Sequence, residues 1–165
     1  MKGVDLVKIE HRAMDALRLL LERIPVITHL ELRHETSAPD HAADIIADLT
    51  VSGKQHTLIC EVQSSGQPRH VRIAALQLRN YIPHQAQDMT GVVIAPYLSP
   101  DAQRLCHQQG VGFLDFEGNA YLALESIFIE RQVTRKPVIE RRELRSLFKP
   151  KSAQVLRVML RDPRR

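Results

Sequence analysis

The sequence predicts an α/β sandwich, a mixed central sheet flanked by helices, in the order helix, three strands, helix, strand, helix and further strands. Three observations predict it. Residues 4–23 carry apolar side chains at helical spacing and run into a proline. Residues 44–63 form two β-rich arms around Ser52-Gly53-Lys54-Gln55. Residues 91–96 are almost wholly apolar and stand between two helical patterns, which marks a central strand covered on both faces. At 165 residues the chain supports one full domain with an adequate core and a small appendage.

The first helix is predicted from Val4 to Arg23, with Leu6, Ile9, Ala13, Leu17, Leu20 and Ile24 on one stripe and Pro25 as its stop. Glu10 falls inside that stripe, beside Leu17 and Leu21, whereas Asp15 and Glu22 point to solvent. A carboxylate on a buried face needs a partner or a metal. Glu10 is therefore either a site residue or an acid that reaches the rim to pair with an arginine. A strand follows from Val26 to about Glu35, alternating through Thr28, Leu30 and Leu32, and then a turn over residues 36–40.

The arms of the hairpin run over 44–63. With Gly53 and Lys54 as a two-residue loop, Ser52 faces Gln55, Ile46 faces Glu61 and Asp44 faces Gln63. Strand side chains alternate, so Asp44, Asp48, Glu61 and Gln63 emerge on one side and Ile45, Leu49, Leu58, Cys60 and Val62 on the other. Two acids held diagonally across a rigid ladder suit a hard cation bound through oxygen. Both Asp44 and Asp48 are diagonal to Glu61. Only Asp44 is also opposite Gln63, which favours Asp44 as the metal ligand.

A polar loop over 64–68 leads into a helix from Pro68 to about Gln87, with Val71, Ala75, Leu78 and Ile82 as its apolar stripe. Gln77 and Tyr81 lie one turn apart on a neighbouring face, and His70 shares it. Arg69, Arg72 and Arg79 are phosphate-contact candidates on the same helix. After the strand at 91–96, Ser99 caps a helix opened by Pro100 and closed by Gly110. Strands at 111–116 and 120–124 flank a turn at 117–119, where Asp115 and Glu117 serve local hydrogen bonds.

Acid, then some fifteen residues, then Glu61-x-Gln63, followed by Gln77-x-x-x-Tyr81 on the next helix, resembles the PD-(D/E)xK nuclease superfamily with its RecB-type Q-x-x-x-Y motif. Pro-Asp occurs literally only at Pro39-Asp40, but Asp44 better fits the start of the strand. The resemblance implies the restriction-endonuclease-like fold with an αβββαβ core, and magnesium- or manganese-dependent cutting of DNA. It implies that Asp44, Glu61 and the carbonyl of Val62 hold the metal. Gln63 would position a water where the family has lysine, and some restriction enzymes of the superfamily carry Gln or Glu there. Glu10 would add an outer carboxylate. Gln77 and Tyr81 would lean toward the metal site and the nucleic-acid backbone and support the site. Gln63 offers an amide donor and acceptor but no charge. The alternative function is therefore a nuclease-like module without catalysis that binds DNA in regulation, as a transcription regulator or antitoxin-like protein.

Charge divides the chain. Residues 1–130 sum to −5 and residues 131–165 to +9, so a basic tail follows a mildly acidic domain. That tail is either a phosphate-holding arm or a solvated linker. The domains expected are 1–131 nuclease-like, 132–149 a basic linker, and 150–165 the opening helix of an incomplete winged helix-turn-helix. That helix leaves room for a homodimer as well as for DNA. Cys60 and Cys106 read as small buried hydrophobes of a reducing cytoplasm. No signal peptide, membrane span, zinc pattern or nucleotide-binding fingerprint stands in the sequence, and an enzyme of small molecules is disfavoured.

Overall fold

The computed structural model describes residues 2–35, 43–83, 88–124 and 127–133, with side chains from residue 5 onward. The turn expected over 36–40, residues 134–149 of the basic linker and the helical segment expected from 150 lie outside them. The first six elements are α1 (Lys2–Glu22), β1 (Ile27–His34), β2 (Ile45–Val51), β3 (Lys54–Val62), α2 (Pro68–Tyr81) and β4 (Met89–Ala95). That is the expected αβββαβ order. Helix α3 (Pro100–Gln109) and strands β5 (Gly112–Asp115), β6 (Ala120–Leu124) and β7 (Ile127–Arg131) complete the described chain. Among the described residues no helix is long and apolar enough to cross a membrane.

The seven strands lie in one sheet in sequence order. Pairing is antiparallel except where α2 and α3 cross over, so β3, β4 and β5 are mutually parallel neighbours. Helix α1 covers one face, where Ala13, Leu17, Leu20 and Leu21 meet Ile45, Leu58, Cys60 and Ile94. Helices α2 and α3 cover the other, where Val71, Ala75, Leu78 and Ala102 meet Ile46, Ile59, Val93 and Phe113. Strand β4 contributes to both, as its unbroken apolar run requires. The caps hold as expected: Ser99 accepts from the Ala102 N–H at 3.2 Å, and Gly110 ends α3 at φ 73°.

Four expectations need correction. Helix α2 ends at Tyr81, with Ile82 extended as its cap ahead of Pro83, rather than running to about Gln87. The hairpin turns on Ser52 and Gly53, because Val51 pairs with Lys54, so Ile46 faces Ile59 and Asp48 faces Thr57. Ser52 at φ 50° and Gly53 at φ 85° both take the positive φ that a two-residue turn matched to strand twist demands. The register moves by two positions, an even number, so the faces predicted for the acids survive. Strand β1 is irregular between Ile27 and His29, and the bulge leaves Thr28 exposed rather than in the alternation. Leu6 remains 40% exposed, because the first turns of α1 precede the part of the helix that packs on the sheet.

The loops after β3 and β4 are bound together at the carboxyl ends of the parallel strands. Gly66 bridges to Leu98, and any Cβ at Gly66 would lie 1.9 Å from the Tyr97 carbonyl oxygen. Asp115 lies beneath, 1% exposed. It accepts from the Leu98 N–H at 2.9 Å and from the Glu117, Gly118 and Asn119 N–H groups. Asn119 donates to it from its side chain and accepts in turn from the Val133 N–H at 2.7 Å. The local hydrogen bonding expected of Asp115 is thus a buried corner that ties three connections together. Open α/β sheets place ligands at this end.

Candidate active site

Glu61 is the penultimate residue of β3 and only 7% exposed. Alternation turns it to the face of Ile59, toward the α2–α3 layer. Its Oε1 is buried without a hydrogen-bond partner among the described residues. Burial first, and then the charge of Asp44, push its pKa up to about 8. An ionised carboxylate in that position calls for a compensating charge.

Asp44 stands immediately before β2 and is clamped from both sides. Its N–H donates to the Cys60 carbonyl at 2.8 Å, and its carbonyl accepts from the Glu35 N–H at 3.0 Å. Its carboxylate accepts from the Val62 N–H at 2.7 Å. The backbone of β3 therefore holds this carboxylate beside Glu61, although the ladder pairs Ile45 with Cys60 rather than Asp44 with Gln63. Gln63 follows, half-buried, with its N–H on the Ile94 carbonyl at 2.8 Å.

Glu10 stands on α1, which covers the face of the sheet opposite that of Glu61, and senses the charge of Asp44. Burial and then Asp44 raise its pKa, while His34 and His11 act against them. Its Oε2 lies 3.9 Å from His34 Nδ1. Asp44 thus stands electrostatically between Glu10 and Glu61 and raises both. The pairing of Glu10 with a basic side chain at the rim is with histidine, not arginine.

Asp48 takes no part in this cluster. Arg33 and Thr57 bind its carboxylate. Burial works to raise its pKa, but those hydrogen bonds and the charges of Arg33 and His29 outweigh it and hold the carboxyl below its ordinary range. It is the ion-paired acid of the two. Helix α2 starts near the site and runs away from it. Gln77 and Tyr81 lie in its second half, about 14 and 20 Å along the axis from Pro68 at 1.5 Å per residue, and both are exposed. Arg69 and Arg72 are exposed nearer the start, and Arg79 donates to Gln109 at 2.8 Å. His70 is half-buried, with Nδ1 partnerless among the described residues.

The histidines beside Glu10 are what sequence reading missed. Eight histidines are scattered singly along the chain, and only the tertiary fold brings His11 and His34 into ring contact at 5.5 Å. Cys60 lies on the opposite face from Glu61. Burial and the two acids push its thiol far up, and it is an inert core group.

Among the described residues no three His, Cys, Asp or Glu side chains form a ready metal cage. A pair of carboxylates with an unsatisfied buried oxygen fits a magnesium-type ion, which binds through one or two carboxylates and keeps several waters. It does not fit zinc, which wants nitrogen or sulfur in a closed shell.

No family model and no curated protein matches the chain. Among solved structures it is similar to the crystal structure of a repair endonuclease from Pyrococcus abyssi, at 16% identity and a TM-score of 0.42 over 64% of this chain and 46% of that one. It is similar to EndoMS in its apo form, at 17% identity and a TM-score of 0.36 over 63% of this chain and 45% of that one. The EndoMS–dsDNA complex gives 20% identity and a TM-score of 0.38 over the same shares. The chain spans less than half the length of these structures, and likeness of this extent says nothing about activity.

Proposed function

We propose that the chain hydrolyses phosphodiester bonds of DNA with magnesium or manganese, through Asp44 and Glu61 as metal ligands. One observation carries this reading: Glu61 Oε1 is buried, partnerless among the described residues, and set beside a second carboxylate that the Val62 N–H holds in place. Such a pair is costly without a cation and satisfied with one. The Val62 carbonyl is the third proposed ligand. When bound, the cation withdraws charge from the phosphate and makes water a better nucleophile. Gln63 orients that water through its amide. Arg69 and Arg72, exposed at the start of α2, contact the phosphates of the strand, and Gln77 and Tyr81 extend that surface along the helix.

The test is cleavage of plasmid and oligonucleotide DNA with magnesium or manganese. Asp44→Ala and Glu61→Ala are each expected to lose at least 100-fold in rate, while Asp48→Ala keeps full activity. Cleavage that survives both substitutions rejects the site. A second reading is favoured by Gln63, which supplies no charge: a module that binds DNA and does not cut it. Absence of cleavage, together with tight and salt-sensitive DNA binding by the wild type, would establish that reading instead.

A further inference from the structure

We propose that Glu10, His11 and His34 take up a divalent transition-metal ion of the zinc class where α1 crosses the end of β1, apart from the acid pair. The inference does not rest on the hydrolytic reading. His34 is the last residue of β1 and pairs with Ile45, which pairs in turn with Cys60. Ile45 and Cys60 belong to the layer under α1, so His34 turns toward that helix while Glu61 faces the other way. Glu10 and His11, consecutive on α1, meet it there. Two imidazole nitrogens and one carboxylate oxygen form a donor set that suits zinc, nickel or copper and does not suit magnesium.

The separations are close to those that one ion would impose. Zinc binds such donors at about 2.0–2.2 Å, so two of them at a tetrahedral angle lie roughly 3.4 Å apart, and two ligating rings have centroids roughly 5.2 Å apart. Glu10 Oε2 stands 3.9 Å from His34 Nδ1. The rings of His11 and His34 have centroids 5.5 Å apart and planes tilted by 49°. Among the described residues the trio is not a finished cage. Rotation of the Glu10 carboxylate about its broad terminal torsion brings its oxygen in. His11 is already set for ligation. Its Nδ1 lies 2.9 Å from the Val7 carbonyl, and a carbonyl only accepts, so Nδ1 carries the proton and Nε2 offers the lone pair. Backbone carbonyls orient metal-binding histidines in this way.

The side chains of His34 and Glu10 are 32% and 21% exposed, which gives an ion access and leaves its fourth position to water. Burial and the charge of Asp44 both raise the Glu10 pKa, and a cation offsets both. The ion also joins two elements that hold each other loosely at this end. Leu6 and Val7, one turn before Glu10 and His11, are 40% and 50% exposed, and β1 is an edge strand of the sheet. A metal bridge fastens the early turns of α1 to that edge, and its binding energy becomes folding energy. Without an ion the same three groups make a part-exposed Glu–His pair and a ring contact, which add little to stability.

The test is titration of the full chain with Zn2+ in the presence of excess Mg2+, with Co2+ as a spectroscopic probe. One Zn2+ per chain is expected, not displaced by Mg2+, with the thermal midpoint raised and with Co2+ showing the visible bands of tetrahedral coordination. His11→Ala and His34→Ala should each weaken Zn2+ binding about 100-fold and Glu10→Gln about tenfold. His29→Ala on the same strand, Asp44→Ala and Glu61→Ala should each leave it unchanged. In the wild type, Zn2+ should shift the ring resonances of His11 and His34 and leave those of His29 in place, which reads the site without any variant. Failure to bind Zn2+, binding as tight in His34→Ala as in the wild type, or binding lost in Glu61→Ala overturns the site. Cleavage of DNA with magnesium or manganese is a separate readout, so neither result decides the other.

Discussion

Glu61 shows how one side chain couples stability to ion binding. Its folded pKa of about 8 stands above the ordinary value of 4.5. Between those values the folded chain keeps a proton that the unfolded chain has released. Stability from this group is therefore fully present below pH 4.5 and is lost as pH rises toward 8. At about 1.4 kcal/mol per unit, and after allowance for relaxation of the site, the loss is roughly 2–4 kcal/mol. Thermal unfolding in chelator should show a midpoint that falls from pH 5 to pH 8, and Glu61→Gln should flatten the fall. A wild-type midpoint indifferent to pH, or an unchanged fall in the variant, contradicts the assignment. The same linkage makes divalent-ion affinity rise with pH over this range, because the ion needs the ionised carboxylate. Asp48 behaves oppositely. Its carboxyl is already held ionised by Arg33 and Thr57, so Asp48→Ala removes a part-exposed pair worth about 1 kcal/mol at most.

At the scale of elements, the Asp115 corner and the hairpin turn make separate predictions. Asp115 accepts four backbone N–H groups and the Asn119 amide while 1% exposed. Asp115→Ala leaves buried donors unpaired and should cost roughly 3–5 kcal/mol, read as a lower denaturant midpoint with metal binding intact. Ser52→Asn places the residue favoured at the first position of this turn and should stabilise by a few tenths of a kcal/mol, about 0.5. The turn also explains what could be read from the sequence. Helices α1, α2 and α3 were legible because their stripes, caps and prolines are local. The faces of Asp44 and Glu61 were legible because alternation survives an even slip. The register itself was not, since Ser52–Gly53 and Gly53–Lys54 are both plausible loops until φ is known. Strand β7 escaped notice because Ile127, Phe128 and Ile129 are consecutive apolar residues, and the alternation lies in their burial rather than their type. The sequence favours Asp44 over Asp48 through a register that the structure replaces, whereas the partner that occupies Asp48 is Arg33, fifteen residues away in the chain. No local pattern shows that.

At the scale of the whole molecule, the sign of the charge is divided along the chain. Residues 1–133 carry a net −4, with Arg131 their last basic residue, and residues 134–165 carry +8. An acid cluster within an acidic domain repels DNA, so attraction must come from elsewhere on the chain. The exposed Arg69 and Arg72 of α2 supply two local charges. The segment after residue 133 supplies eleven basic residues against three acidic ones. A chain ending at residue 133 retains every described element, including the Val133 N–H bonded to Asn119. Its thermal unfolding reports that these elements remain folded. Its DNA affinity should fall at least tenfold near 0.1 M salt, and the slope of log K against log salt should drop by roughly half, since each phosphate contact contributes about −0.9. Arg69→Ala with Arg72→Ala should lower that slope by about 2 in the full chain. An unchanged slope in the shortened chain would place the whole phosphate-binding surface on the folded domain. The segment beyond residue 133 would then be a solvated extension rather than an arm.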